Sequence, residues 1–302
     1  MRRYASADAL LLLCVTLWGL NVPMTKLGLE HGFSPLSYAP PRFGLGAFGL
    51  LGFMLARRSS FELPRRDWGK VAFWGGVVIA LNQTVYMESF RLASPATIAL
   101  LFGTLPLFAA IYAQVLGLDR LTARRWTGAA ISFGGVALVA LGASASVGGS
   151  PGGIALALVA PASFAALSIG LGPLLQSHGA VKVTTLASLC AVLPLFVVGA
   201  PALANQDWGA IDWVGWTALV YSAFVGYTIT NLFWFDGVRK VGPARAALYV
   251  NVQPFSGAVF SWIILGDRIG WAQWAGGVLI VGGILFSRLP ELRRLLAAAP
   301  HE

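Results

Sequence analysis

"ESFRLASPATIALLFGTLPLFAAIYAQVLGLDRLTARRWTGAAISFGG", residues 88 to 135, and "DGVRKVGPARAALYVNVQPFSGAVFSWIILGDRIGWAQWAGGVLIVGG", residues 236 to 283, align without a gap at a constant offset of 148. In that register Arg91, Pro95, Pro106, Asp119, Arg120, Trp126, Gly128, Gly134 and Gly135 meet Arg239, Pro243, Pro254, Asp267, Arg268, Trp274, Gly276, Gly282 and Gly283. A shared bias in composition matches glycines and alanines by chance, but does not easily match Arg, Pro, Asp-Arg and Trp in step. The chain reads as a tandem duplication.

The duplicated material is apolar. Of 302 residues, 57% are hydrophobic and 11% charged, against about a quarter charged in soluble proteins. A spanning helix needs roughly 20 apolar residues, and ten such windows fit: 7–29, 36–56, 69–91, 94–117, 123–143, 152–175, 180–200, 212–236, 243–265 and 270–288. The expected fold is an all-α polytopic membrane protein. Short connections leave no room between the spans for a soluble catalytic or nucleic-acid-binding domain. The start, with Arg2 and Arg3 ahead of an apolar run, has the look of a secretory signal, but that run continues past Gly19 to Leu29 without a clear cleavage site and is read as the first span.

Five spans per copy is an odd number, so the second copy enters the membrane from the opposite side and the ten helices form two inverted repeats. The expected division is 7–143 for the first five-helix repeat, 144–151 for an exterior linker of small residues, 152–288 for the second repeat and 289–302 for a cytoplasmic tail. With a cytoplasmic N-terminus, the inner side collects all of the 21 basic residues except Lys26, Arg42, Arg91 and Arg268. The net charge of +9 is therefore a topology signal, placing both termini inside. Inverted repeats favour a transporter with its site near the midplane between the copies.

These residues resemble the drug/metabolite transporter superfamily, in its ten-helix EamA branch, over nearly the whole chain. The resemblance rests on "LWGLNVPMTKLGL" (17–29), "SPLSYAPPRF" (34–43), "GTLPLFAAIYAQVLGLDRLTARRWTGAAISFGGVALV" (103–139) and "NVQPFSGAVFSWIILGDRIGWAQWAGGVLIVGGIL" (251–285). Where the family has Gly-Glu-Arg, this chain has "LDR" and "GDR", which keep the acid. The overall pattern is similar to the YddG-type aromatic amino-acid exporters. The resemblance implies a multi-pass protein of the bacterial cytoplasmic (inner) membrane that exports small amino acids or related metabolites, with drugs or nucleotide sugars as the alternative cargo. The partners expected are that small-molecule substrate and the lipid bilayer, with no nucleic acid and with a monomer possible.

Prolines inside spans free a carbonyl one turn back and mark breaks that face a cavity or another helix. Pro23, Pro106 and Pro254 free Gly19, Phe102 and Val250, and are read as hinges or as packing kinks. Tyr227, Asn231 and Trp234 fall at i, i+4 and i+7 on one face of the eighth span, with Ile79, Gln83 and Tyr86 as counterparts on the third. Two amides and three rings on such faces suit a small zwitterion with an apolar or planar side chain. Asn82, Thr104, Tyr249, Asn251 and Gln253 add polar atoms at similar depth, and in the first span Asn21 offers hydrogen bonds beside an apolar wall at Trp18. Interhelical packing is the competing reading for each of them.

Glu88 with Arg91, and Asp236 with Arg239, make i,i+3 pairs at opposite membrane faces, read as gates or as plain helix-end ion pairs, the latter preferred. Lys26 and Arg42 flank the first outer loop, where Lys26 can snorkel and Arg42 can bind a carboxylate or cap carbonyls, a structural role again being preferred. Cys14 and Cys190 lie in different spans and read as small buried hydrophobes. No cofactor or metal set is expected. The chain has no His-Glu-x-x-His, no Gly-x-Ser-x-Gly and no carboxylate pair at mid-span, so an intramembrane enzyme is disfavoured, and the broken repeats favour a carrier over a channel. All twelve acidic residues fall in tails, loops or helix-end turns, which points to facilitated transport without proton coupling.

Overall fold

In lipid every backbone amide must be satisfied within its own segment, and the apolar windows answer by forming helices. The computed structural model describes residues 2–93, 98, 101–118, 122–142, 150–266 and 270–297. Among the described residues the main helices are, in order, α1 (Arg2–Glu30), α2 (Pro35–Ala56), α3 (65–92), α4 (Leu105–Val115), α5 (Ala123–Leu141), α6 (Pro151–His178), α7 (Ala180–Ala204), α8 (Trp213–Val241), α9 (Pro243–Leu265) and α10 (Trp271–Ala297). Six of them are long and apolar enough to cross a membrane, and α4, α5 and α10 contain shorter apolar stretches. Outward-facing Leu193, Val197, Ile263 and Val278 are exposed, as contact with lipid requires. Most of the linker, Pro95, and the Asp119-Arg120 and Asp267-Arg268 pairs lie outside the described residues.

Local chemistry sets the helix ends. Asp212 Oδ1 accepts the N–H groups of Val214 at 2.9 Å and Gly215 at 3.0 Å at the start of α8, and Ser150 Oγ accepts that of Gly153 at 3.1 Å at the start of α6. Single glycines with left-handed backbone, Gly179 (φ 83°) and Gly242 (φ 86°), join α6 to α7 and α8 to α9, a conformation that costs other residues a Cβ clash. Helix α10 continues to Ala297, past the boundary expected at 288.

The packing reproduces the duplication. Helix α1 packs on α8 and α9, and its counterpart α6 packs on α3 and α4, while α2 pairs with α7 and α5 with α10. Each copy is thus wrapped into the other. On the α5–α10 contact, a Cβ at Gly128 would lie 2.7 Å from the Gly283 carbonyl oxygen, and one at Gly135 would lie 2.5 Å from that of Gly276. Moving forward along α5 moves backward along α10, so the helices are antiparallel. Because Gly128 matches Gly276 and Gly135 matches Gly283 in the repeat, the contact is self-complementary, as a two-fold relation demands. The copies are inverted.

Two features were not foreseen. Helices α3 and α8 each contain a π segment, Phe73–Ile79 and Phe224–Ile229, at overlapping positions of the repeat. Helix α1 runs unbroken through Pro23. Pro106 and Pro254 instead follow irregular backbone: a turn at 103–104 precedes α4, and a 3-10 stretch, Leu248–Asn251, interrupts α9.

Candidate functional site: a cavity between the repeats

A cavity of about 460 Å³ lies between α1, α3 and α8, with Arg42, Phe102, Phe164 and Gln253 completing its wall. This falls within the 300–1,000 Å³ range of small-molecule sites. Along α1 the lining runs from Trp18 through Asn21, Val22, Thr25, Lys26 and Leu29 to Glu30, the last residue of the helix. The cavity therefore reaches from mid-helix to that end of the bundle.

Below Trp18 it is shut. The Trp18 ring lies 5.2 Å from that of Trp234 and 5.8 Å from that of Phe164, and Trp234 lies 5.4 Å from Phe164. Trp234 has no exposed surface and donates its Nε1–H to Ser168 Oγ at 3.3 Å. Beneath this aromatic floor Leu11, Cys14 and Val15 are fully buried. Further down, the Tyr249 hydroxyl donates to Asp8 at 2.7 Å, with Arg245 3.6 Å from the same oxygen, and Asp236 holds Arg239 at 2.9 Å and Lys240 at 2.6 Å.

The polar wall is a connected set. Asn82 donates to the Ala160 carbonyl at 2.7 Å and to Ser163 Oγ at 3.1 Å, fixing α3 to α6. Gln83 Nε2 donates to Asn82 Oδ1 at 3.1 Å, and its own Oε1 accepts Arg42 Nη2 at 2.7 Å. Opposite, Asn231 Nδ2 donates to the Tyr227 carbonyl at 2.8 Å, satisfying an acceptor within the π segment. The Tyr227 ring packs 4.5 Å from Phe43, and its hydroxyl shares a 2.8 Å hydrogen bond with Ser188. Asn21 Oδ1 is buried against Gly226, where a Cβ would lie 2.4 Å from it, and it has no hydrogen-bond partner among the described residues. Any side chain at Gly226 would displace Asn21.

Of the residues singled out in the sequence, Trp18, Asn21, Asn82, Gln83, Tyr86, Tyr227, Asn231 and Gln253 line the cavity. Thr104, Trp234, Tyr249 and Asn251 do not. The Thr104 hydroxyl donates to the Leu101 carbonyl at 2.6 Å, and Asn251 donates to Ser132 at 3.0 Å on α5. Glu88 and Arg91 pair at 3.1 Å. Thr25, Met87 and Phe164, which carry no mark in the sequence, also line the cavity, as does Phe102, expected only as the carbonyl freed by Pro106. Arg42, weighed as a loop-flanking residue, lies two turns inside α2, is 6% exposed and faces the cavity.

Outside the spans, two carboxylates are set by histidines. Asp67, in the charged first turn of α3, is held below the ordinary carboxylate range by its 3.0 Å hydrogen bond to His178, against a smaller opposing effect of burial. Asp212 is likewise held low, first by the Gly215 amide and then by His31 at 2.7 Å. No group of three His, Cys, Asp or Glu able to hold a metal occurs among the described residues. Both cysteines are free, and Cys14 donates to the Thr230 carbonyl at 3.2 Å.

The EamA-like transporter family model matches residues 5–141 and 151–289, one match per repeat. The chain belongs to the EamA-like transporter family. It is a multi-pass membrane transporter. The uncharacterized inner membrane transporter YedA of Escherichia coli is 26% identical over 95% of this chain and 94% of its own length. A probable amino-acid metabolite efflux pump of Salmonella typhimurium is 27% identical over 91% and 92% of the two chains. A solved crystal structure superposes with a TM-score of 0.79 at 18% identity, covering 96% of this transporter and 99% of that chain, so the fold is shared.

Proposed function

We propose that this EamA-type transporter exports small amino acids, including those with aromatic or other apolar side chains, across the cytoplasmic membrane by alternating access. The observation that carries this reading is the cavity itself, open at one end of the bundle and stopped at mid-depth by Trp18, Phe164 and Trp234, with the amides of Asn21, Gln83, Asn231 and Gln253 at or above that floor. Rings take an apolar side chain, and amides take the charged groups of a zwitterion. The name of the Salmonella relative points the same way. A nucleotide sugar calls for several cations around its phosphates, whereas two cations and one carboxylate line this cavity.

The positive-inside bias puts both termini in the cytoplasm, so the cavity opens outward and the closed end faces the cytoplasm. Transport is facilitative in this reading. Glu30 at the mouth lies 3.9 Å from Lys26, and Glu88 and Asp236 sit in helix-end ion pairs, none of them on the cavity floor. Counterflow in proteoliposomes across a panel of amino acids tests the cargo, and saturable exchange of apolar amino acids is the expected result. Accumulation driven by an imposed proton gradient and abolished by an uncoupler would refute the uncoupled mechanism; absence of exchange for every amino acid would refute the cargo.

A further inference from the structure

We propose that Arg42 is the anchor for a carboxylate on the transported molecule, so that the cavity selects organic monoanions: the carboxylate of a zwitterion or of a simple monoacid. This inference rests on the reading of the cavity as the transport site and specifies what that site grips.

Arg42 is a buried cation without a counter-ion among the described residues. It is 6% exposed and lines the cavity, yet the ion pairs among the described residues do not include it. Its Nε has no hydrogen-bond partner, while Nη2 is held by Gln83 at 2.7 Å. A guanidinium does not escape such a position by losing its proton, and a buried charge is tolerated only where something pairs with it. The groups that share the cavity wall with it on α3 and α8 include the neutral phenols of Tyr86 and Tyr227, and Gln83 accepts one N–H. The one carboxylate on the lining, Glu30, is taken by Lys26 at 3.9 Å. Among the described lining residues, two cations thus stand against one carboxylate.

The geometry is prepared for a planar anion. Gln83 is itself fixed by Asn82, which is fixed to α6 by two hydrogen bonds, so the guanidinium is oriented through a chain of bonded amides. Gln83 takes an N–H of Nη2, and a carboxylate entering the cavity adds a charge-assisted N–H···O bond to the guanidinium. Ligand entry answers the missing charge, and the aromatic floor below takes an apolar tail.

The test uses purified full-length protein in detergent, with binding read by intrinsic tryptophan fluorescence or thermal shift. The probes share a phenyl ring and differ in charge: 3-phenylpropionate, phenylalanine, phenethylamine and 3-phenylpropionamide. Wild-type protein is expected to bind the two carboxylates and to discriminate against the amine and the amide. Arg42→Gln is expected to weaken carboxylate binding by about 10- to 100-fold, the loss of a charge-assisted hydrogen-bonded pair. Arg42→Lys, which keeps the charge and loses the fork, falls between. Equal binding of phenylpropionamide and phenylpropionate to the wild type overturns the anchor without recourse to any variant, and so does failure of both carboxylates to bind. Phenylalanine exchange in vesicles together with unchanged carboxylate affinity in Arg42→Gln refutes the anchor and leaves the amino-acid reading standing. Arg42-dependent binding of phenylpropionate without phenylalanine does the reverse.

Discussion

Adding one methyl group at Gly135 should separate the two repeats, and adding it at Gly134 should not. A Cβ at Gly135 lies 2.5 Å from the Gly276 carbonyl oxygen and 2.8 Å from Ile280, and a Cβ at Gly276 lies 2.5 Å from the Gly135 oxygen; Gly134 and Gly282 have nothing within 4 Å. Reaching an ordinary 3.4 Å contact requires α5 and α10 to part by about 0.9 Å. Overpacking of that kind costs about 1–3 kcal/mol. Replacing glycine by alanine also brings a helix-propensity gain of roughly 1 kcal/mol, which is common to all four positions and cancels when Gly135→Ala is compared with Gly134→Ala. Because a single widening relieves both clashes, Gly135→Ala with Gly276→Ala should cost clearly less than the sum of the two, the signature of coupled neighbours. Reversible unfolding in mixed micelles supplies all four corners of that cycle. Equal stability of Gly135→Ala and Gly134→Ala, or strict additivity of the pair, would refute the two-fold glycine contact.

Trp234→Ala should lower folded stability by about 3 kcal/mol, as truncation of a fully buried tryptophan does, and should open the floor to labelling from the closed side; normal folded yield with normal transport would contradict its role in the Trp18–Phe164 stack. Asn231→Ala, by contrast, should reduce counterflow more than folded yield, because Asn231 lines the cavity. Asp67 has a lowered carboxyl pKa in the folded protein, so its stabilising contribution is complete above the unfolded value near 3.9 and is lost as pH falls through the lower folded value. Thermal midpoints between pH 3 and 7 should show that acid-side loss in the wild type, and a smaller one in Asp67→Asn. Ser60→Cys and Ser146→Cys should label with an impermeant reagent from opposite membrane faces; labelling from one face would overturn the orientation.

The duplication was legible because its marks are chemical: the glycines at 128, 135, 276 and 283 stand in register in the sequence and touch in the structure. The cavity was legible in angle more than in depth. Tyr227, Asn231 and Trp234 share a face by period, but seven residues carry Trp234 about 10.5 Å along the axis from Tyr227, past the cavity and into the floor. Tyr249 and Asn251 fall in the 3-10 stretch of α9, which turns one toward Asp8 and the other toward Ser132. The π segments gave no signal, since "FWGGVVI" and "FVGYTI" read as plain apolar helix. Arg42 falls early in the 36–56 window and so reads as flanking the outer loop, whereas α2 begins at Pro35 and Arg42 lines the cavity.

A carrier of the kind proposed opens its cavity to one side of the membrane at a time. Thr25 lines the mouth of that cavity, so Thr25→Cys, with Cys14 and Cys190 replaced by alanine, reports its exposure to an impermeant maleimide in vesicles of known orientation. Rapid reaction from the outer face, slow reaction from the inner face, and a shift of that balance when an exported amino acid is added are the expected results. Equal reaction from both faces at once, unaltered by any amino acid, would contradict alternating access.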